Sequence, residues 1–191
     1  EEVIMLKVVM IHPLKHHAYY SMHGLVMVEP SAIAYFGFYN KSDFSDNFLS
    51  KSPYAKLAEG YTLRSIDNHV KVNKFMKMLF LAYKKKPLIF EKLYFELYEK
   101  WVVSKLKNID CIHVLQDHCN EVIRYSNKHG IKVVYEQIAI FDTLKKSTWL
   151  EEAKKFGYEL EMADRIYSDE NIKRQVENLK IADVIIAASK N

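Results

Sequence analysis

The chain has 191 residues, of which 49% are hydrophobic and 27% charged, and its formal net charge is +4. This is the composition of one ordinary globular domain, and no stretch offers the roughly 20 consecutive apolar residues that a membrane-spanning helix requires. Two cysteines, Cys111 and Cys119, are too few for a disulfide framework and fit no zinc-binding spacing, so the sequence favours a reduced, cytoplasmic setting.

The first part of the chain predicts three strands and two polar loops. Residues 6–13, LKVVMIHP, form an apolar run that a proline stops. Residues 31–40 predict a second strand and residues 61–66 a weak third. A loop is expected over 12–24, after the first strand. Residues 40–53 predict the most mobile loop, because polar and turn-forming residues dominate there.

The second part of the chain alternates helical and strand-like patterns. Apolar residues at helical spacing predict helices over 71–84, 88–106, 120–130 and 159–181. Gly130 gives the third of these helices a C-terminal stop. Continuous apolar runs predict strands over 109–117, 131–140 and 182–189. Such runs are typical of strands that are covered on both faces.

This alternation predicts an α/β fold in which helices sandwich a Rossmann-like parallel sheet. No internal repeat, low-complexity tract or linker interrupts the pattern, so residues 1–191 are expected to form a single domain. In such folds ligands bind beyond the carboxyl ends of the strands. Three loops at those ends therefore hold the candidate site residues.

The loop after the first strand holds four of the eight histidines. It lacks the G-x-G-x-x-G fingerprint, which disfavours tightly held NAD or FAD, and a single glycine is a weak signal for a phosphate at a helix start. The histidines suit a metal site or the polar lining of a pocket. The lack of an acidic residue in this loop favours the lining, and no metal is expected. The candidate binding residues here are His16, His17, Tyr19, Tyr20, Ser21, His23 and Gly24.

Two further loops supply candidate catalytic residues. Asp117 and His118 follow one predicted strand and precede a helix, where a histidine could transfer protons and a neighbouring carboxylate could orient it. It is equally open that Asp117 or Asn120 only caps that helix. Glu136 ends an apolar strand, where a carboxylate is costly unless it is hydrogen-bonded or faces a cleft. Asp117, His118 and Glu136 are therefore the candidate catalytic residues.

Positive charge is concentrated in residues 51–110, which carry 13 basic and 6 acidic side chains. Two interpretations stay open. The segment forms a solvated, lysine-rich helical surface, or it forms a face that meets anionic lipid or a phosphorylated acceptor. Nucleic acid is disfavoured as a partner, because no aromatic-basic strand motif or recognition helix accompanies the lysines.

Four segments carry motifs that occur together in one enzyme family. LKVVMIHP is similar to an opening strand MKI…P, and IDCIHVLQDH (109–118) to D-(V/I)-(V/I)-H-x-H. GIKVVYEQ (130–137) is similar to G-x-P-V-V-Y-(D/E), and QVENLKIADVIIAAS (175–189) to E-x-x-x-x-x-A-D-x-(V/I)-(I/V)-x-x-S. Through these segments the chain resembles the N-terminal domain of GT-B glycosyltransferases of the large retaining family four. It departs from the family at Leu115 and Ile138, where histidines are usual, and at Gly24, which stands alone where a glycine pair is usual.

The resemblance implies a nucleotide-sugar-dependent, retaining glycosyltransferase of hexosyltransferase type. This chain would be its acceptor-side half, inactive alone, and a C-terminal donor-binding domain would lie outside it. The implied mechanism needs no metal and no cofactor besides the nucleotide-sugar donor. The loop over 15–24 would contact a sugar, lipid-linked or other acceptor, and Asp117, His118 or Glu136 would face the reacting sugar. The basic segment 51–110 would face either the inner surface of a membrane or an anionic acceptor.

Two other classes of protein stay open. A non-catalytic subunit that pairs with a separate donor-binding chain would show an exposed apolar patch at its hinge side, where the last strand lies. A Rossmann-like ligand-binding module unrelated to sugar transfer would bind a small ligand unaided.

Overall fold

The structure, a computed structural model, describes residues 6–14, 18–39, 63–115, 119–137, 142–157 and 168–187. In this part of the chain six parallel strands form one sheet, flanked by helices. The strands are β1 (Val8–His12), β2 (Ile33–Phe36), β3 (Val70–Lys71), β4 (Cys111–Leu115), β5 (Lys132–Gln137) and β6 (Val184–Ala187). The helices are α1 (Ala18–Val28), α2 (Lys74–Lys85), α3 (Pro87–Val103), α4 (Asn120–Lys128), α5 (Asp142–Phe156) and α6 (Asp169–Ile181).

The strand order is β3-β2-β1-β4-β5-β6, with β1 between β2 and β4 near the centre. The chain moves outward from β1 to β3, returns to the centre, and moves outward again from β4 to β6. This is the doubly wound order of Rossmann-like folds, and the order reverses between β1 and β4. The predicted Rossmann-like parallel sheet is therefore confirmed, and its crevice for ligands is expected beyond the carboxyl ends of these two strands.

Consecutive residues of a strand face opposite helical layers. Phe36 of β2 packs against Tyr19 of α1, with ring centroids 5.0 Å apart. The preceding residue, Tyr35, instead contacts Trp101 of α3, with centroids 5.6 Å apart. The α1 face and the α3 face of the sheet are defined by these two contacts. Burial of apolar side chains on both faces explains why the central strands read as continuous apolar runs.

Helices α2 and α3 form a hairpin joined by one residue, Lys86. The side chain of Asn73 caps α2, since its Oδ1 accepts a hydrogen bond from the backbone N–H of Phe75 at 2.9 Å. Pro87 occupies the first position of α3, where a missing N–H costs nothing. Tyr83 of α2 stacks on Tyr94 of α3 with centroids 5.5 Å apart, which holds the hairpin together.

Most of the predicted elements are confirmed, with shorter bounds. The strands predicted over 6–13, 31–40, 109–117, 131–140 and 182–189 are present, as are the helices predicted over 71–84, 88–106 and 120–130, and residues 169–181 of the last one. Gly130 has a φ of 71°, a left-handed conformation that suits a helix end, so the predicted stop is confirmed. The loop predicted over 40–53 lies outside the described residues.

Two predictions are wrong. In the segment predicted as a weak strand, Arg64–Ile66 is a 3₁₀ turn, and the third strand is β3, whose Val70 pairs with Ala34. A loop was predicted over 12–24, but the residues from Ala18 onward belong to helix α1. Its buried residues Tyr19 and Met22 lie one turn apart, a helical spacing that the histidines and Gly24 obscured.

Candidate functional site

His113 of β4 and Glu136 of β5 form a polar pair across neighbouring strands. The Nε2 atom of His113 lies 2.9 Å from Oε2 of Glu136, although the angle departs from that of a well-aligned hydrogen bond. The side chains are 13% and 19% exposed, so the pair is mostly but not fully buried. A carboxylate at this distance restricts the orientation of the imidazole, as in acid–base sites.

His12, the last residue of β1, lies on the same face of the sheet as this pair. It pairs with Phe36 of β2, which faces α1, and His113 pairs with Met10, two residues before His12. From the spacing of strands and residues, the Cα atoms of His12 and His113 are about 8 Å apart. Three polar residues thus lie on the α1 face toward the carboxyl ends of β1, β4 and β5, beside the point where the strand order reverses.

The carboxyl end of β1 is fixed by contacts to β2 and α3. The carbonyl oxygen of His12 accepts the N–H of Gly37 at 3.1 Å, and the hydroxyl of Tyr94 donates to the carbonyl oxygen of Pro13. A Cβ atom at Gly37 would collide with the Tyr94 hydroxyl and the Pro13 carbonyl, so this close approach requires glycine. His12 is 2% exposed and is therefore held in a defined position.

Tyr98 of α3 extends the same support to β2. Its hydroxyl donates to the carbonyl oxygen of Tyr35 at 2.7 Å, and the side chain is fully buried. Burial raises the pKa of Tyr98 well above its ordinary value. The phenol hydroxyl thus donates a hydrogen bond that helps to position β2.

The N-terminus of α4, which follows β4, is occupied by a carboxylate of the protein itself. Oε2 of Glu99, from α3, accepts the N–H of Glu121 at 2.5 Å and that of Val122 at 3.3 Å. The free N–H groups at the start of a helix are a common anion site. Because Glu99 is buried and already occupies two of them, this helix start is closed to a phosphate group.

Asn120 does not cap α4, which answers one of the open alternatives. It is the first residue of the helix, and its Oδ1 accepts a hydrogen bond from Nδ2 of Asn178 at 2.5 Å. Glu99 supplies the cap instead, from a helix that is distant in sequence. The other alternative concerns Asp117 and His118, which lie outside the described residues together with His16 and His17.

The remaining predicted binding residues belong to α1. Tyr19 is buried, and its hydroxyl donates to the carbonyl oxygen of Phe38 at 2.5 Å, so it packs the core. Tyr20 is 71% exposed. Gly24 lies in the interior of the helix and not at a helix start, where its backbone could have approached a phosphate. The other two predicted residues of this helix are Ser21 and His23.

His12 and His113 are site residues that the sequence analysis missed. Both lie within runs of apolar residues, and such runs indicate a buried strand and draw no attention to a single polar residue. The signal was available in the alternation of strands, since His113 is two residues before a strand end and so shares a face with the residue there. Pairing β4 with β5 in register would have placed it beside Glu136.

Comparison with protein families, curated proteins and solved structures finds no match to this chain. The resemblance to family-four glycosyltransferases therefore depends on the motifs themselves. Among the described residues, no helix combines the length and the apolar character needed to cross a membrane. Within those same segments, no three His, Cys, Asp or Glu side chains are grouped as ligands for a metal ion.

Proposed function

We propose that this chain is the acceptor-side domain of a nucleotide-sugar-dependent, retaining glycosyltransferase of the GT-B type. One observation carries the proposal. His113 is the histidine of one family motif and Glu136 is the carboxylate of another, and the two side chains lie 2.9 Å apart. Residues with acid–base chemistry from two separate motifs thus meet at the edge of the sheet where ligands bind in this fold.

The fold alone supports only the setting, because Rossmann-like sheets serve many unrelated functions. The site adds chemistry that suits a sugar acceptor. A histidine oriented by a carboxylate can accept a hydrogen bond from a sugar hydroxyl and strengthen it as charge develops in the transition state. His12 adds a third polar group on the same face.

In the proposed reaction the acceptor hydroxyl attacks the anomeric carbon on the face from which the nucleoside diphosphate departs. The new glycosidic bond forms as the bond to the diphosphate breaks, and the leaving diphosphate takes the hydroxyl proton. His113 and Glu136 orient that hydroxyl. Glu99 occupies the N-terminus of α4, where a phosphate group could otherwise bind. This agrees with a reaction in which the donor-binding domain holds the diphosphate.

Transfer assays on the complete enzyme test the proposal. The coding DNA beyond Asn191 is read first, and the complete product is assayed with a panel of nucleotide-sugars and sugar acceptors. His113→Gln and Glu136→Gln should each lower kcat by roughly 100-fold, a typical loss when the reacting group is no longer correctly positioned. The controls are His129→Gln, an exposed side chain before the amino end of β5, and Glu151→Gln, an exposed side chain of α5.

Two results would contradict the proposal. One is turnover that His113→Gln and Glu136→Gln leave unchanged while the proteins stay folded. The other is binding of a small ligand by the isolated chain with no transfer by the complete product. That second result would favour a Rossmann-like ligand-binding module.

A second candidate function is a non-catalytic subunit that docks a separate donor-binding chain. The last strand, β6, favours it, because Val184, Ile185 and Ile186 are 51%, 50% and 43% exposed. An exposed apolar edge strand is a surface that proteins usually cover. A stop codon directly after Asn191, together with a partner that co-purifies and is lost on Ile185→Lys, would favour this candidate over the single-chain enzyme.

A further inference from the structure

We propose that the tip of the α2–α3 hairpin binds the surface of an anionic lipid bilayer. The hairpin tip is defined here as residues 84–89, which carry three consecutive lysines, a proline, and the apolar pair Leu88 and Ile89. The hairpin tip shares no residue with the His113–Glu136 pair. It does not depend on the proposed transfer activity.

The apolar part of the tip is exposed to solvent. Leu88 is 76% exposed and Ile89 is 65% exposed, and Leu93, one turn after Ile89, is 44% exposed. At about 100° per residue these three side chains lie within an arc of about 140° on α3. The opposite side of the helix carries Tyr94 and Tyr98, which are fully buried. The outer face of α3 therefore presents apolar side chains that are largely exposed.

The charged part of the tip surrounds this apolar face. Residues 71–93 contain seven lysines and one glutamate. Lys84, Lys85 and Lys86 are all exposed, and the Nζ atom of Lys84 lies over the Phe80 ring, 5.6 Å from its centroid. Lys92 lies on the same exposed face of α3, and its Nζ atom is 3.8 Å from Oε1 of Glu96. Such density of positive charge is complementary to anionic headgroups.

The combination of the two parts points to lipid as the occupant. Lysines alone would suit a solvated surface, and single exposed apolar residues are common on proteins. Two adjacent apolar side chains at a helix end, next to three lysines, match the interfacial arrangement in which apolar groups enter the headgroup region and lysines bind phosphates. The hairpin is rigid enough to present them, because Phe80 and Tyr83 of α2 both pack on Tyr94 of α3.

Vesicle flotation tests the charge requirement. The chain should bind vesicles that contain phosphatidylglycerol and dissociate from them as salt increases, and it should bind vesicles of phosphatidylcholine alone far more weakly. Neutralising the tip with Lys84→Gln, Lys85→Gln and Lys86→Gln should weaken binding roughly 100-fold, since each lysine near an anionic surface contributes about fivefold. The matched control neutralises three exposed lysines elsewhere: Lys105, Lys107 and Lys128.

A second pair of variants tests the apolar requirement. Leu88→Ser with Ile89→Ser should weaken binding to anionic vesicles about tenfold or more. The matched control is Met27→Ser with Val28→Ser, an adjacent apolar pair at the end of α1 that is 75% and 82% exposed. All four sites are exposed, and circular dichroism of each variant should match that of the wild type.

Three outcomes would overturn the proposal. The first is no binding of the wild-type chain to anionic vesicles. The second is equal weakening by the tip variants and their controls, which would indicate a general charge effect. The third is binding to an acidic polypeptide such as polyglutamate in place of vesicles, which would assign the tip to a protein partner.

Discussion

Glu99 caps a helix to which it does not belong. It lies in α3, and its Oε2 atom accepts the backbone N–H of Glu121, in the first turn of α4, at 2.5 Å. The residue at the N-cap position of α4, Cys119, makes no side-chain cap. A buried carboxylate from α3 thus interacts with the positive end of the α4 dipole. This contact joins the two helices next to the carboxyl edge of the sheet.

Removal of this cap is the first prediction. Glu99→Ala should lower the free energy of unfolding by about 2 kcal/mol, because two buried N–H groups lose their acceptor. Glu99→Gln keeps an acceptor oxygen and should cost less than half of that. Urea unfolding at neutral pH measures both. The control is Glu96→Gln, whose side chain is 51% exposed and should cost less than about 0.5 kcal/mol. A loss from Glu96→Gln as large as that from Glu99→Ala would contradict the capping role.

The same residue predicts a pH dependence. Burial raises the pKa of the Glu99 carboxyl above its ordinary value of 4.5, against the opposing effect of the two N–H groups. The folded state therefore binds this proton more tightly than the unfolded chain, and the stability it contributes is lost as pH rises through the raised pKa. As pH rises above 4.5, the stability of Glu99→Gln relative to wild type should increase. A difference that stays constant as pH rises above 4.5 would contradict the prediction.

Asp110 and Asp183 occupy equivalent positions before two strands and have the same structural role. Oδ2 of Asp110 accepts the N–H of Lys7 at 2.8 Å, and Oδ2 of Asp183 accepts the N–H of Val133 at 2.9 Å. Each carboxylate thereby fixes the amino end of the neighbouring strand. Two aspartates that carry the family resemblance are thus explained by the construction of a parallel sheet. For this reason the motifs predict the fold more securely than the chemistry.

Features confined to one segment could be predicted from the sequence, whereas contacts between segments could not. The strands β1, β4 and β5 follow directly from their apolar runs. The Glu99 cap and the His113–Glu136 pair depend on which elements pack together, and local patterns carry no such information. Helix α5 was not predicted, because its sequence has no apolar face at helical spacing. Its large apolar residues Leu144 and Trp149 are 60% and 52% exposed.

The two aspartates give a second prediction. Asp110→Ala and Asp183→Ala should each lower the free energy of unfolding by about 1 kcal/mol, because one backbone N–H loses its acceptor. Lys132 and the Val133 N–H hold the pKa of Asp183 below its ordinary value of 3.8. The contribution of Asp183 is therefore present above that value and is lost as pH falls through the lowered pKa. Urea unfolding at neutral and acidic pH tests this, and unchanged midpoints for both variants would contradict it.

Lys77 gives a third prediction. It is 8% exposed, its Nζ atom lies 5.3 Å from the centroid of Phe38, and burial lowers its pKa from 10.5 to about 8. The unfolded chain binds this proton more tightly, so the free energy of unfolding should rise with pH between these values. Lys77→Met should remove that rise and increase the free energy of unfolding at pH 7, because the buried ammonium group no longer has to be desolvated.

Thermal and urea unfolding from about pH 7 to 9.5 measure the effect of Lys77→Met. Lys71→Met is the control, because Lys71 is exposed and neighbours the same helix. A loss of stability at pH 7 for Lys77→Met alone would show that the ammonium group makes a contact worth more than its desolvation. That result would contradict the prediction.

Two glycines give opposite predictions for the same substitution. At Gly37 a Cβ atom would collide with the Tyr94 hydroxyl and the Pro13 carbonyl, so Gly37→Ala should lower the free energy of unfolding by about 1–3 kcal/mol. At Gly24, inside α1, a Cβ atom meets nothing within 4 Å, so Gly24→Ala should raise it by about 0.5–1 kcal/mol. Urea unfolding of both variants measures these changes in the free energy of unfolding.

Because Gly37 joins β2 to the end of β1, its substitution should also disturb His12, whereas Gly24→Ala should leave the carboxyl edge intact. Equal shifts of the same sign would show that backbone entropy alone decides both, and that the close approach at Gly37 does not constrain the fold.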